Sequence, residues 1–301
     1  MKLVLYTSGH RPHHKNWASI QRMCKSCDIE FEYTNNSERI KKLNYDILYC
    51  TSDYVDPAVI PSEIKIIYGP HFWVIPSGPV VGSYNPIFEG RWVFNSLSKW
   101  VGDFYLELAK EFTLPIAYLP FGVDTLRFKP NYAEKTQDCL VYIKHRSEVF
   151  ISNILKILDT KNVVYETIKY GSYSEDQYIS ELQKSKFMIV LDAHESQGFA
   201  LEEAMSTGVP LLVVDATSMY DETGSDGKST YAHLRPKNLY ATSVPYWSDI
   251  CGIKITKDEE FEAALDRMLC SYTSYNPRDY IVATLSDKVC MERILDYFKL
   301  K

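Results

Sequence analysis

The chain has 301 residues, of which 46% are hydrophobic and 24% charged, a balance that excludes a disordered polymer and describes a folded protein. Single cores stop growing near ~250–300 residues and domains average roughly 100–150, so two domains are expected. A formal net charge of -6 argues against a general nucleic-acid binder, which needs a basic stripe, and no stable nucleic-acid partner is expected. A local basic pocket for a phosphate stays open.

Residues 3–6 form a short apolar run ending in a polar loop, too short for a signal-peptide core. No stretch reaches the ~18 apolar residues of a membrane span, so no transmembrane anchor is expected. Seven cysteines, an odd number without a framework, read as reduced thiols of a cytoplasmic protein. Helical spacing of Trp17, Ile20 and Cys24 predicts a helix over 16–25. Strands follow at 46–50, 64–68 and 92–94, a helix over 98–110, and a further apolar run at 116–119. Residues 120–130 are punctuated by Pro and Gly and mark a boundary. Beyond it the alternation restarts, with strands at 139–143, 163–168, 187–191 and 210–214 and helices over 148–158, 175–182 and 199–206.

Short apolar strands joined by helical crossovers predict parallel sheets covered on both faces. The expected fold class is therefore α/β, with two doubly wound Rossmann-like domains facing across a cleft and ligands outside the carboxyl ends of the strands. Helical periodicity returns at 261–269 and at 283–300, the latter with a break near 287. Residues 221–229, rich in Gly, Asp and Ser, are the best candidate for a mobile surface loop. The expected domains are 1–125 and 126–284, with 285–301 as a closing helix.

The most informative stretch is 189–205, Ile-Val-Leu-Asp-Ala-His-Glu-Ser-Gln-Gly-Phe-Ala-Leu-Glu-Glu-Ala-Met. A strand ends near Asp192, a polar turn follows, and a helix begins near Gly198, which gathers backbone amides at a helix N-terminus suited to a diphosphate. Glycine at 198 lets a ligand approach the backbone. Glu195 and Glu203 would repel phosphate and are better placed to accept hydrogen bonds from sugar hydroxyls. From chemistry alone, either residue by itself reads first as a solvated side chain compensating the helix dipole.

This segment resembles the Glu-x7-Glu signature of retaining glycosyltransferases with GT-B architecture, in the sucrose-synthase-like group called family 4. Glu195 and Glu203 match its two glutamates, and the likeness runs through Gly198-Phe199 to Gly208-Val209-Pro210. Leu119-Pro120-Phe121-Gly122-Val123-Asp124 with Arg127-Phe128-Lys129-Pro130 resembles the same group's interdomain segment. The resemblance covers about 99–215; its N-terminal domain here is reduced.

The resemblance implies an N-terminal acceptor-side domain, a second domain that grips a nucleoside diphosphate sugar of UDP or GDP type, and a last helix bracing the first. It implies that Glu195 holds the donor sugar's hydroxyls, that Glu203 binds the ribose, and that amides of Ser196, Gln197, Gly198 and Phe199 contact sugar and diphosphate. Cations at the start of the second domain neutralise the leaving diphosphate. Lys144 and Arg146, in Ile143-Lys144-His145-Arg146, take this role, although the family separates its arginine and lysine by several residues. A solvated strand end is the other reading of these residues. Tyr170 and Tyr173 stand near the place of the nucleotide base and read equally as half-buried support.

In the first domain, Gly9-His10-Arg11 matches a loop facing donor phosphate or acceptor, with Gly9 keeping the approach open and His10 on the acceptor side. His71 is a contact or proton relay at the donor sugar, or a structural residue; Asp53 is placed by topology near an acceptor hydroxyl. Ser96 or Ser98 could face the acceptor or cap a helix. The implied reaction is transfer, with retention and without a metal or other cofactor, to a hydroxyl of a glycan or glycoconjugate.

Other motifs are weaker. His13-His14 lacks cysteine or carboxylate partners at zinc-ligand spacing. Cys24-Lys25-Ser26-Cys27 follows its helix, whereas thiol exchange uses a helix N-terminus. Gly227-Lys228-Ser229 matches the end of a Walker loop, but Glu222 stands where the other glycine belongs. The rival functions are a catalytically silent sugar-nucleotide-binding or scaffold protein, an epimerase or phosphorylase-like enzyme on this fold, and a nucleic-acid base glucosyltransferase. Oligomeric state is not encoded in any of these features.

Overall fold

The computed structural model describes residues 1–7, 14–51, 53, 55–70, 90–108, 115–131, 134–224, 228–230 and 239–300. The chain divides into two compact units, Met1–Asp124 with Leu285–Lys301, and Thr125–Thr284.

The first unit carries β1 (Lys2–Tyr6), α1 (His14–Ser26), β2 (Glu30–Thr34), α2 (Ser37–Ile40), β3 (Ile47–Cys50), β4 (Lys65–Tyr68), β5 (Trp92–Asn95), α3 (Lys99–Leu108) and β6 (Ile116–Ala117). Its six strands are parallel, in the order β2-β1-β3-β4-β5-β6. β3 and β5 are buried throughout, as expected of parallel strands covered on both faces. β2 is an edge strand with Glu30 and Glu32 paired to Lys2 at 2.9 and 2.7 Å; its charges hide it from an apolar-run search. On α1 the buried face is Ser19, Ile20, Met23 and Cys24. Trp17, expected on that face, is 41% exposed and rests on Tyr33, with ring centroids 5.4 Å apart.

The predicted helix over 283–300 is two helices, α8 (Pro277–Leu285) and α9 (Asp287–Phe298). α9 belongs to the first unit, where Val123 N–H donates to Leu285 O at 2.9 Å and Arg22 Nε donates to Asp287 Oδ2 at 3.0 Å. A Cβ at Gly122 would stand 2.5 Å from Asp287 Cα, so this close approach requires glycine.

The second unit carries β7 (Gln137–Lys144), α4 (Glu148–Thr160), β8 (Tyr165–Lys169), α5 (Glu175–Lys184), β9 (Ser185–Asp192), α6 (Phe199–Ser206), β10 (Leu211–Val214), β11 (Gly252–Ile255) and α7 (Phe261–Ser271) before α8. The parallel strands are ordered β11-β10-β9-β7-β8. α4 and α5 open with serine caps: Ser147 Oγ accepts from Phe150 N–H at 3.2 Å and Ser174 Oγ from Gln177 N–H at 3.1 Å. Ile151, Ile154 and Leu158 of α4 and Phe261 and Leu265 of α7 bury against the central strands.

Both units are thus Rossmann-like, and both sheets reverse direction beside their first strand. The chain leaves β7 for β8 on one side, then places β9 on the other. Ligand crevices in such sheets open at the carboxyl ends of the two strands flanking that reversal. In the second unit those ends are Lys144 and Asp192, which are register partners; in the first they are Tyr6 and Cys50.

Candidate functional site

The β7 strand stops at Lys144 because His145 turns left-handed, with φ +54°. The strand, expected over 139–143, thus runs one residue further and does not continue to Arg146. Even so, Lys144, His145 and Arg146 line one cavity of about 400 Å3 with Lys169, Tyr170 and Glu222. Lys144 Nζ lies 2.5 Å from Glu195 Oε1 and 3.9 Å from Asp192 Oδ2, and 4.6 Å from the Tyr170 ring centroid. Glu195 reaches it from the turn between β9 and α6.

Burial opposes charge on Lys144, but Asp192 and Glu195 outweigh it and raise the ammonium's pKa. Asp192 is fully buried, and burial drives its carboxyl well above the usual range; Lys144 pulls the other way and Glu195 reinforces the rise. Lys144 thus meets Glu195 at hydrogen-bond distance and Asp192 at longer range. Arg146 packs its guanidinium 4.2 Å from the Phe150 ring centroid and donates to Asp192 O at 3.5 Å.

Gly198 caps α6 with φ +92° and ψ 53°, a left-handed conformation suited to glycine. α6 is buried from Ala200 to Ser206, including Glu203 at 4% exposure. That burial removes the solvated, dipole-compensating reading of Glu203. Gln197 is buried and its amide donates to Glu202 Oε2 at 2.9 Å. Tyr173 packs on Tyr178 at 5.3 Å between ring centroids. Burial pushes its hydroxyl up to about 12; a hydrogen bond to Tyr142 opposes this, and the charges of Glu203 and Glu195 add to it. Tyr170 is 51% exposed and sits edge-on to His145, with ring centroids 6.1 Å apart.

The structure therefore brings Lys144, Arg146, Tyr170, Tyr173, Glu195 and Glu203 to one end of one sheet, with Ser196, Gln197, Gly198 and Phe199 in the intervening turn and helix start. Asp53 lies in the other unit, beyond the end of β3. Gly9, His10 and His71 lie outside the described residues. Ser96 and Ser98 are buried, and Ser96 Oγ donates to Ser98 O at 3.1 Å, which removes both from an acceptor surface. The Cys24 thiol is buried, and its pKa is pushed up to about 12 by that burial, with Cys27 adding, so it is no reactive thiolate.

The expected mobile loop over 221–229 needs correction at its start. Glu222 Oε2 lies 2.6 Å from His194 Nε2 and 3.7 Å from His145 Nδ1, and Thr223 N–H donates to His145 O at 3.0 Å. Residues 225–227 lie outside the described residues. Sequence reasoning also missed Asp215, whose carboxylate accepts from Ser243 N–H at 2.7 Å and from Thr242 Oγ1 at 2.8 Å. The only sequence signal for it was a carboxylate just past an apolar strand. Among the described residues, no group of three or more His, Cys, Asp or Glu is arranged to hold a metal ion. Among those residues, too, no helix is long and apolar enough to cross a membrane.

No family model matches the chain, and no curated protein matches it in sequence. Solved structures do match in fold. The lipopolysaccharide outer core galactosyltransferase WaaB superposes with a TM-score of 0.55 at 12% identity, over 100% of this chain and 99% of that one. Sucrose-phosphate synthase from Thermosynechococcus elongatus gives 0.56 at 8% identity, over 99% and 98%. WaaG, a glycosyltransferase involved in lipopolysaccharide biosynthesis, gives 0.51 at 12% identity, over 98% and 99%. At these identities the likeness is one of fold: two parallel-sheet Rossmann-like domains, consistent with GT-B architecture.

Proposed function

We propose that the chain is a retaining glycosyltransferase of the family 4 type that moves a sugar from a nucleoside diphosphate sugar to a hydroxyl of a glycan or glycoconjugate, without a metal. The observation that carries this reading is the Lys144–Glu195 pair, 2.5 Å apart at the carboxyl ends of β7 and β9, where a doubly wound sheet places its ligand. The full-length fold likeness to three proteins named as a galactosyltransferase, a glycosyltransferase and a sucrose-phosphate synthase supports it.

In the proposed reaction the diphosphate lies against Lys144 and Arg146. Breaking the bond from the anomeric carbon to the phosphate oxygen builds charge on that oxygen, and preformed cations stabilise this charge most in the transition state. Lys144 carries its full charge at any physiological pH, because its pKa is raised. Glu195 releases Lys144 to the phosphate and accepts hydrogen bonds from the sugar's hydroxyls. Glu203 meets the ribose, and Tyr170, exposed at the cavity rim, stacks on the base. The acceptor hydroxyl attacks from the face the diphosphate leaves, and its proton passes to the departing phosphate oxygen, so no protein base is required. The acceptor-side roles of His10 and Asp53, and that of His71 as a contact or proton relay at the donor sugar, complete the proposal.

A thermal-shift titration with UDP-, GDP-, ADP- and dTDP-linked sugars tests it, because a ligand that binds only the native state must stabilise it. The expected result is a dose-dependent shift with one nucleotide class, unchanged by EDTA and lost in Glu203→Ala. Folded protein that responds to none of the four refutes the donor site.

A further inference from the structure

The Glu195 backbone is held by a segment that the proposed reaction does not use. Its N–H donates to Thr242 O at 3.0 Å. Thr242 belongs to a short run whose polar groups converge on Asp215. Thr242 Oγ1 donates to both carboxylate oxygens, at 2.8 and 3.0 Å, and Ser243 donates to Oδ1 through N–H and through Oγ, each at 2.7 Å. Thr242 Oγ1 also accepts from Val244 N–H at 3.1 Å.

Asp215 itself is fixed. It directly follows β10, its own N–H donates to Ile255 O at 2.8 Å, and Lys254 Nζ stands 3.9 Å from Oδ2. The residue is 5% exposed, so water competes little for these bonds, and hydrogen bonds to a charged acceptor are the strong kind. The same run borders the other end of the turn: Ser243 O would lie 3.8 Å from a Cβ at Gly198.

We propose that Asp215 is the positioning residue for Glu195, acting through Thr242 and Ser243. Resting on the donor-site reading above, this assigns the placement of the sugar-facing carboxylate to a third strand end, beyond the two that flank the crevice. Asp215 touches no substrate. It sets where the Glu195 backbone sits, and with it the reach of the Glu195 carboxylate toward Lys144 and a bound sugar. Because the Glu195 N–H is occupied by Thr242 O, Glu195 serves the donor through its carboxylate and not through its amide.

Hydrogen exchange on the ligand-free protein tests the pin without relying on activity. In Asp215→Ala the Glu195 amide should exchange about tenfold faster or more, as local opening predicts, while the β9 amides of Met188–Leu191 stay protected. Asp215→Asn keeps an acceptor oxygen for Ser243 N–H but loses the charge and the second oxygen that Thr242 Oγ1 uses, so the Glu195 amide should exchange about threefold faster than in wild type. Unchanged exchange at Glu195 in Asp215→Ala overturns the proposal. Loss of protection across β9 as well reports unfolding, and Asp215→Asn then decides: faster exchange confined to Glu195 supports the pin, and wild-type exchange there overturns it.

Calorimetry with UDP-glucose and GDP-mannose, each against its bare nucleoside diphosphate, supplies the second readout. A positioning role reduces the sugar's contribution to affinity about tenfold in Asp215→Ala and leaves the bare nucleotide within about twofold. Equal losses for both overturn positioning. Wild-type protein that binds no nucleotide refutes the donor-site reading, while the exchange result still decides the pin.

Discussion

The two sheets share a winding order yet treat the polar groups near their carboxyl ends differently. In the first unit the buried hub is neutral. Asn95, fully buried at the end of β5, donates to Tyr49 Oη at 2.8 Å and to Leu119 O at 2.7 Å, and accepts from Leu97 and Leu119 N–H, each at 3.0 Å. In the second unit the polar cluster at the ends of β7 and β9, the strands that flank the reversal, is ionic, with Asp192 and Glu195 within 3.9 Å of the Lys144 nitrogen. Topology locates a crevice in both sheets, but only the side chains decide what it can hold. A saturated amide hub fixes the chain; a lysine against two carboxyls can exchange one partner for a ligand's phosphate.

Breaking each hub should give opposite signatures. Lys144→Ala leaves a buried carboxylate without its cation and should cost about 3–5 kcal/mol in denaturant unfolding; sugar transfer should fall about 100- to 1,000-fold, as for loss of a preorganised charge stabiliser. Asn95→Ala strands several buried donors and acceptors and should cost about 3 kcal/mol, yet leave the affinity of the second unit for nucleotide unchanged. A loss of nucleotide affinity in Asn95→Ala at temperatures where it is folded would contradict the comparison.

pH separates the units further. Asp287, in the first, has its carboxyl raised from 3.8 to about 6, mainly by burial, against the pull of Arg22. Between those values the unfolded chain has released a proton that the folded chain still holds, so stability falls as pH rises from about 4 to 6. Asp287→Asn should flatten that slope, worth roughly 1–3 kcal/mol over the window. Glu222, in the second unit, is depressed below 4.5; burial opposes the shift, and the hydrogen bond to His194 and the charges of both histidines overcome it. Its contribution is present above the unfolded value and is lost as pH falls through the folded one. Glu222→Gln should therefore remove stability at pH 7 and little at pH 3, as measured by urea midpoints. The smallest effect belongs to the exposed Lys99–Asp103 pair, 2.6 Å apart: Lys99→Ala should change stability by at most about 0.5 kcal/mol.

Much of the fold is legible in the sequence because parallel strands buried on both faces appear as compact apolar runs. The exceptions have physical causes. β2 alternates Glu, Phe, Glu, Tyr and Thr at a sheet edge, and β11 is only Gly-Ile-Lys-Ile, so neither forms an apolar run. Trp17 follows the helical period of α1 but lies at its rim. In the site, Glu195 and Lys144 stand out as residue types at the ends of apolar strands, but their meeting across 51 residues is a product of the strand order. Glu222 and Asp215 were not legible, because each takes its meaning from a partner 27 or 28 positions away: Glu222 from His194, and Asp215 from Thr242 and Ser243. A glutamate in a Gly- and Ser-rich stretch looks solvated until the histidine it faces is known.

The central claim is that Lys144 in the second unit receives the donor's diphosphate. Calorimetric titration of UDP and GDP into wild-type protein, Lys144→Met and the first-unit control Lys99→Ala tests it most directly. Wild type and Lys99→Ala should bind one nucleotide equally well, and Lys144→Met, with its fold verified by circular dichroism, should bind it at least about tenfold more weakly, a difference near 1.4 kcal/mol. Equal affinity in Lys144→Met and wild type would contradict the assignment.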